Sequence, residues 1–318
     1  MQEYRDIYEW RPPESGCAIA LGRFDGVHLG HRALLERAVE HASEHNLVPV
    51  CFSFREDTYP KAKKYGQLTT SDEKAEILES IGIEVLLHPA FEPPLIDMSA
   101  MEFLSRLVVG RWKAKLVVAG FDFHFGRDRG GDASLLKAEG ERLGVEVEVF
   151  KAFKAGGEAV KATRIRRFIA DGHIDKANAL LGRPYSIRAE TRGGRQFGRS
   201  IGFPTINFEF PPEKVKPGHG VYAVRLRRLA DGLILSGVAN YGLRPTIEPD
   251  NVEPLLEVHL LDGGQGMGPQ VDQIPPGTSF EVQLLVFIRE ERRFDSIEEL
   301  KEQIEKDCRI AKGFFVSS

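Results

Sequence analysis

The chain has 318 residues, of which 42% are hydrophobic and 28% charged, and a formal net charge of −4. Its length favours two domains, and its slightly acidic balance offers no global basic field for nucleic acid. The longest apolar runs are strand-sized, too short to span a bilayer. We therefore expect a globular, cytoplasmic protein that binds neither nucleic acid nor membrane, and the N-terminal sequence predicts no signal peptide.

The three cysteines are widely scattered and show no paired spacing. Cys17 and Cys51 lie inside apolar, strand-like runs, and Cys308 lies near the C-terminus. This usage predicts reduced thiols in a reducing compartment rather than disulfides.

The first half of the chain alternates strand and helix signals. Continuous apolar runs are typical of buried strands, and amphipathic segments with helical spacing separate them. The runs are "CAIALGRF", "LVPVCFSF", "IEVLLHPA", "KLVVAGF" and "VEVEVF". Capping boxes predict two helix starts, at Thr70 with Glu73 and at Ser99 with Glu102. The pattern predicts a parallel sheet covered on both faces, with ligands bound beyond the carboxyl ends of its strands.

After about residue 182 the pattern changes to short alternating strands. "GVYAVRLRRL" alternates apolar and basic residues, and Asp231-Gly232 predicts a hairpin turn. A final helix is predicted from Ser296, boxed with Glu299. In "SFEVQLLVFIRE" one register contains Phe280, Val282, Leu284, Val286 and Ile288. We predict a small antiparallel β-barrel with a terminal helix, and two domains at 1–182 and 183–318.

The stretch "GRFDGVHLGH" follows a strand and opens a helix. Unpaired backbone N–H groups and the helix dipole favour an anion there. Gly22, Gly26 and Gly30 let the backbone approach a ligand, while His28 and His31 can both donate hydrogen bonds to phosphate. A metal site would need further ligands, which no nearby histidine or cysteine cluster offers. A turn with two surface histidines stays open as the alternative to phosphate binding.

The same stretch resembles the G-x-F-D-G-x-H-x-G-H signature of prokaryotic bifunctional riboflavin kinase/FMN adenylyltransferases, and the resemblance covers nearly the whole chain. It implies a Rossmann-like nucleotidyltransferase domain followed by a riboflavin kinase barrel. It also implies ATP, riboflavin and FMN as substrates, with Mg²⁺ at both sites. His28 and His31 would then stabilise charge on the phosphates. The implied phosphate-binding residues of this stretch are Gly22, Phe24, Asp25, Gly26 and Gly30.

The segment "VVAGFDFHFGRDRGGD" is similar to the part of the family that lines the flavin and the nucleotide. The resemblance implies flavin contacts from Asp122, Phe123 and Phe125. From the residues alone, an aromatic loop packed on the sheet explains the segment equally well.

The segment "VKATRIRRF" resembles the family's S-S-T-x-I-R helix start. Thr163 would hold ATP phosphates and Arg166 would clamp the leaving pyrophosphate. Lys161 and Ala162 replace the two serines, and Arg23 stands where asparagine or an apolar residue is usual. These departures leave open a riboflavin kinase whose N-terminal domain is impaired in adenylyl transfer.

The stretch "GRSIGFPTINF" contains the G-F-P-T-x-N motif of riboflavin kinases. The resemblance implies that Thr205 and Asn207 are the Mg²⁺–ATP ligands, and their hydroxyl and amide oxygens are hard donors suited to Mg²⁺. "RGGRQFGRS" would form a basic flap over the nucleotide. The implied nucleotide-binding residues here are Gly198, Arg199 and Gly202. From the residues alone, a β-turn with Pro204 at a strand edge explains the stretch equally well.

Three further matches concern the flavin and the reaction. Asn240 and Arg244 match the family's flavin-side loop, and Arg289 would lie at the flavin end near the C-terminal helix. Glu257 aligns with the family's proposed base, which accepts the proton of the riboflavin hydroxyl. Taken alone, a glutamate in an alternating strand is expected to face solvent. The Gly- and Pro-rich loop at 262–278 departs from the family pattern.

The leading hypothesis is therefore a bifunctional enzyme that makes FMN from riboflavin and FAD from FMN. A flavin- or nucleotide-binding regulator without turnover is a third hypothesis, which the intact kinase motif disfavours. We expect a monomer or a weak homo-oligomer.

Overall fold

The computed structural model describes residues 1–193, 197–242, 254–261 and 271–317. The chain divides into two compact units, Met1–Ala162 and Thr163–Ser318. Among the described helices, none is long and apolar enough to cross a membrane.

The first unit is built on a six-stranded parallel sheet. Its strands are β1 Gln2–Tyr4, β2 Cys17–Leu21, β3 Val48–Phe52, β4 Val85–Leu87, β5 Ala114–Gly120 and β8 Glu146–Phe150. Two short antiparallel pairs accompany it: β6 His124–Phe125 with β7 Gly131–Asp132, and β9 Lys154–Ala155 with β10 Glu158–Ala159. The sheet order is β1-β4-β3-β2-β5-β8. All five predicted strands are present. The sixth strand, β1, was not predicted, because it is short and largely exposed and therefore has no apolar run.

Helices cover both faces of this sheet, which confirms the predicted layering. They are α1 Leu29–His45, α2 Pro60–Tyr65, α3 Ser71–Ile81, α4 Ala100–Glu102 continuing as the π-helical Phe103–Arg111, and α5 Ala133–Leu143. Successive strand residues bury on opposite faces: Ile19 packs with Phe103 and Trp112, and Ala20 with Leu35 of α1. Both predicted capping boxes form, at Thr70 and at Ser99.

The predicted thiols are free. Cys17 and Cys51 are fully buried in the sheet, and Cys308 is half-buried. Burial raises the pKa of both Cys17 and Cys51 well above the usual range of a thiol. These two thiols therefore act as small core residues rather than as nucleophiles.

The second unit is a closed antiparallel barrel preceded by two helices and followed by one. Its helices are α6 Ala162–Ala170, α7 Ile174–Leu181, α8 Phe197–Ser200 and α9 Ile297–Ser317. Its strands are β11 Tyr185–Arg192, β12 Thr205–Glu209, β13 Gly220–Arg228, β14 Ile234–Gly242, β15 Leu255–Leu260 and β16 Ser279–Glu290. The barrel order is β11-β12-β15-β14-β13-β16, and the predicted hairpin joins β13 to β14 with Gly232 at φ +75°.

Helices α6 and α7 lie in the second unit, whereas the sequence predicts a boundary after them. The side-chain amide of Asn178 in α7 donates to the carbonyl of Leu284 at 2.8 Å, and its oxygen accepts from the backbone N–H of Tyr185 at 2.7 Å. These bonds fasten α7 to β16 and β11, so the structural division falls before the helices.

The single register predicted for β16 is wrong in its second half. Leu284 pairs with Val224, but Val286 pairs with Ala223, so Leu285 is an extra residue at a β-bulge. The bulge turns Val286 to the opposite face, where it packs in a cluster that contains Ala311 of α9. An irregularity of one residue thus supplies the apolar surface on which the terminal helix packs.

Helix α9 is also held by charge. The Nε–H of Arg289 is shared between the two oxygens of the buried Asp307 carboxylate, at 2.9 and 3.1 Å. The side-chain amide of Gln303 donates to the same carboxylate at 2.7 Å. Only half of the predicted capping box forms, since Ser296 accepts from the N–H of Glu299 while the Glu299 carboxylate accepts from Asp295.

A buried ion pair joins α3 to the loops that follow β2 and β3. Lys74 and Glu56 are both fully buried, with Nζ and Oε1 2.6 Å apart. The Lys74 ammonium also donates to the Ser53 hydroxyl and to the Arg23 carbonyl, each at 3.0 Å, and to the Phe54 carbonyl at 3.3 Å. Every one of these oxygens lies beyond the carboxyl end of a strand, so the pair shapes the edge of the sheet where ligands are expected.

Replacing Lys74 with methionine should lower the free energy of unfolding of the first unit by about 3–5 kcal/mol, because the buried Glu56 carboxylate loses one of its two cationic partners and three oxygens lose the ammonium donor. Trp10 and Trp112, the two tryptophans of the chain, are both buried in this unit. Urea unfolding followed by tryptophan fluorescence therefore reports on it. The exposed Lys137→Met control should change the value by less than about 0.5 kcal/mol. Equal stability of the two variants would contradict the network.

Candidate active sites

The turn between β2 and α1 needs glycine for two different reasons. Gly26 has φ +75°, in the left-handed region that glycine adopts without strain. A Cβ on Gly22 would lie 2.8 Å from the ring of Phe24, which is itself buried with φ +50°. Gly30 is crowded as well, since a Cβ would lie 3.1 Å from the Cβ of Phe153. The chain therefore makes a tight turn that ends at the N-terminus of α1.

The two histidines of the motif come together at that N-terminus. His28 is the N-cap of α1, and its Nδ1 accepts the backbone N–H of His31 at 3.3 Å. The two rings stack with centroids 3.6 Å apart and an interplanar angle of 14°. Because Nδ1 of His28 is an acceptor, the ring hydrogen lies on Nε2, which can donate to an anion. The stack thus places hydrogen-bond donors where the helix dipole already favours negative charge.

Asp25 is a buried part of the turn. Its carboxylate lies 3.3 Å from the Arg23 guanidinium and accepts a long bond of 3.4 Å from the N–H of Leu68. Arg23 also pairs with Glu56 at 3.1 Å and lies over the ring of Tyr59 at 4.4 Å. Arg23 is therefore a structural member of the network and holds Asp25 in place.

The segment after β5 has an inner and an outer part. Phe123 and Phe125 stack with centroids 5.5 Å apart, and Phe125 is buried against Phe103. The ring of Phe121 is 47% exposed instead, and the ammonium of Lys161 lies 5.9 Å from its centroid. Sequence reasoning did not single out Phe121. The signal that could have found it is an aromatic residue directly after the carboxyl end of a central strand.

Three other residues were predicted to bind the nucleotide or the flavin, two in α6 and one in the segment after β5. Thr163 is exposed, Arg166 is half-buried, and Asp122, in the segment after β5, is exposed. Thr163 and Arg166 belong to the second unit, because the division of the chain falls at Ala162.

On the barrel, three polar residues form a row across adjacent strands. Asn207 of β12 pairs with Glu257 of β15, and Glu257 pairs with Asn240 of β14. Directly opposed residues of antiparallel strands project from the same face. The neighbours of Glu257 in sequence, Leu256 and Val258, are fully buried, so the row lies on the outer face of the barrel.

Thr205 extends this row on the same face of β12, two residues before Asn207, and pairs with His259 of β15. The Nδ1–H of His259 donates to the carbonyl of Pro204 at 2.9 Å, and its ring meets Phe203 edge-on at 5.3 Å. His259 was not predicted, although its spacing of two residues from Glu257 in an alternating strand is the signal that could have found it. These contacts hold the G-F-P-T turn against the barrel.

The loop before that turn folds back on it. The N–H of Phe203 donates to the carbonyl of Gly198 at 2.7 Å, and a Cβ on Gly198 would lie 2.3 Å from the Phe203 carbonyl oxygen. Gly202 has φ +90° and donates to the carbonyl of Arg199, which is exposed. Both glycines are therefore required by the backbone.

Of Asn240 and Arg244, the two residues predicted for a flavin-side loop, only Asn240 belongs to the described residues. Arg289 is near the terminal helix, where it is paired with Asp307. Arg244, residues 194–196 of the predicted flap and residues 262–270 of the divergent loop lie outside the described residues.

Comparison with known proteins matches both parts of the chain. The FAD synthetase family model matches residues 11–164, and the riboflavin kinase family model matches residues 181–315. The bifunctional riboflavin kinase/FMN adenylyltransferase of Escherichia coli (strain K12) is 36% identical over 306 residues, which cover 95% of this chain and 94% of that protein. The protein of the same description from Haemophilus influenzae is 36% identical over the full length of both chains.

A solved structure shares the whole fold. A crystal structure described as a macrolide-efflux protein from Streptococcus pneumoniae superposes with a TM-score of 0.84 and 28% identity, and covers 98% of each chain. With both domains matched and the relatives aligned from end to end, this chain belongs to the bifunctional riboflavin kinase/FMN adenylyltransferase family.

Proposed function

We propose that this chain phosphorylates riboflavin with ATP to give FMN, and joins FMN to the adenylyl group of a second ATP to give FAD and pyrophosphate. Both family models match, in separate parts of one chain. The observation that carries the chemistry is the row of Asn207, Glu257 and Asn240 on one face of three adjacent strands.

Two residues of that row, together with Thr205, offer oxygen atoms that suit Mg²⁺. The hydroxyl of Thr205, the amide oxygen of Asn207 and the carboxylate of Glu257 are hard oxygens on one face, and Mg²⁺ prefers a few such ligands together with water and phosphate. We assign Thr205 and Asn207 to hold the ion with ATP. Mg²⁺ bound there neutralises charge on the phosphates.

Glu257 is placed for proton transfer. In the kinase step its carboxylate accepts the proton of the riboflavin 5′-hydroxyl, the hydroxyl oxygen bonds to the γ-phosphorus, and ADP leaves with the bridging oxygen. Asn240, next to Glu257 in the row, can hold the flavin by hydrogen bonds from its amide.

The first unit carries out the adenylyl transfer. The FMN phosphate attacks the α-phosphorus of ATP, and pyrophosphate leaves. His28 and His31 donate hydrogen bonds to the phosphates as charge builds, which requires no covalent intermediate.

A riboflavin kinase without adenylyl transfer is the second candidate, and it is favoured by Lys161 and Ala162. Arg23 no longer supports it, because its bonds to Asp25 and Glu56 stabilise the turn. A regulator without turnover is disfavoured by the presence of Thr205, Asn207 and Glu257 together on the barrel face.

The test is to incubate the protein with FMN and Mg-ATP, and separately with riboflavin and Mg-ATP, and to separate the flavins by chromatography. We expect FAD in the first reaction and FMN, then FAD, in the second. FMN without FAD would select the kinase alone, and neither product would exclude both candidates.

Glu257→Gln should lower kcat for FMN formation by about 10²–10⁴-fold, because the amide cannot accept the hydroxyl proton. Riboflavin affinity, measured by fluorescence quenching, should stay within about twofold, as expected for loss of an interaction made in the transition state. FAD formation from FMN in the same preparation serves as the internal control. An unchanged kinase rate would show that Glu257 is not the base.

His28→Ala should lower the rate of FAD formation from FMN by about 10²–10³-fold, through the loss of a donor to the phosphates. The same preparation should keep its riboflavin kinase rate. The exposed His173 offers a matched control, and His173→Ala should keep both rates. An unchanged rate of FAD formation by His28→Ala would show that His28 does not act on the phosphates.

A further inference from the structure

A second group of histidines and carboxylates lies at the far end of α1. His41, Glu44 and His45 each offer one atom that could bind a metal, and these three atoms lie within 4.8 Å of one another. The same holds for His41 with Glu146 and Glu148 of β8. His41 is thus shared by a set on the helix and a set on the edge strand of the sheet. With a rise of 1.5 Å per residue, the group is about 15 Å along the helix from His31.

His41 is the buried member of this group. Its residue surface is 6% exposed, and its Nδ1 is closed off from water without a hydrogen-bond partner among the described residues. Buried polar atoms in native proteins almost always have a partner, so an orphaned nitrogen on the histidine that both sets share points to a missing ligand.

His45 is oriented as a metal ligand would be. Its Nδ1–H donates to the carbonyl of His41 at 3.0 Å, because a carbonyl can only accept. The ring hydrogen is thereby fixed on Nδ1, and the lone pair of Nε2 is left for a ligand. The two rings stack at 4.1 Å with an angle of 18°, as residues four apart on one helix face do.

We propose that His41 and His45, with the carboxylates of Glu44 and Glu146, form a Zn²⁺ site that ties the end of α1 to β8. Each set holds its ligand atoms within 4.8 Å of one another, and rotation of the exposed side chains of Glu44, His45 and Glu146 is needed to bring the two sets to one ion with bonds of about 2.0–2.2 Å. Imidazole nitrogens favour Zn²⁺ over Mg²⁺. Glu148 stays outside the set, because both its oxygens accept from Arg37 at 2.8–3.0 Å, whereas Glu44 lies 3.9 Å from the Arg37 guanidinium, beyond hydrogen-bonding distance.

The site has a structural role in this arrangement. Strand β8 is the last strand of the sheet and pairs only with β5 among the described strands. A metal bridge to α1, next to the Arg37–Glu148 pair, would fix that edge and raise the melting temperature of the first unit.

The test uses tag-free, full-length protein stripped of metal. Zn²⁺ is titrated against a chromophoric chelator, and Co²⁺ replaces it to report the ligand geometry by its visible absorption. We expect one equivalent of Zn²⁺, a tetrahedral Co²⁺ spectrum, and no competition from Mg²⁺. His45→Ala and the isosteric Glu146→Gln should each weaken Zn²⁺ binding by at least about tenfold, whereas His173→Ala should not.

Folding is checked in the same samples. His45 and Glu146 are exposed, so both metal-free variants should melt within about 4 °C of the metal-free native protein, with His45→Ala slightly lower because it loses the bond to the His41 carbonyl. The buried tryptophans report the melting. Zn²⁺ should then raise the melting temperature of the native protein more than that of either variant. Zn²⁺ affinity that is absent in the native protein, or equal in the native protein and both variants, would overturn the proposal.

Discussion

The register of three antiparallel strands is the constraint on which the proposed kinase site depends. Side chains alternate along a strand, and a shift of one residue would move Glu257 from the outer face into the apolar interior of the barrel. The observed pairing sets Asn207, Glu257 and Asn240 side by side, although they come from three distant parts of the chain. The buried Leu256 and Val258 hold this register, so the core of the barrel and its chemistry are selected together.

The first site is set by the backbone instead. The turn before α1 contains the left-handed Phe24 and Gly26 and ends at the helix N-terminus, which His28 caps. Lys74 bonds to the carbonyl of Arg23, and Arg23 pairs with Asp25, so the buried ion-pair network fixes this turn. Backbone N–H groups attract any phosphate, so the specificity of this site must come from the side chains around it. In the proposed function, the two units thus bind a nucleotide triphosphate by different physical means.

The helices and strands and most of the candidate site residues could be predicted from the sequence, because periodicity and motifs are visible within short segments of the chain. Contacts between distant segments could not. Lys74 lies in an amphipathic helix where lysine is usually exposed, and its partner Glu56 belongs to a different loop. The bulge at Leu285 leaves no mark in an alternating strand, so the face of Val286 was predicted wrongly. Glu257, Asn207 and Asn240 were each named through a motif, while their arrangement in one row depends on strand pairing, which the motifs do not show.

The most direct test of the barrel site is a crystal structure of the protein with ADP, Mg²⁺ and FMN, the products of the kinase step. The account predicts Mg²⁺ at about 2.1 Å from the hydroxyl oxygen of Thr205 and the amide oxygen of Asn207. It also predicts a Glu257 oxygen within hydrogen-bonding distance of the oxygen that links the ribityl chain to phosphate. A metal bound elsewhere, with the flavin phosphate away from Glu257, would contradict it.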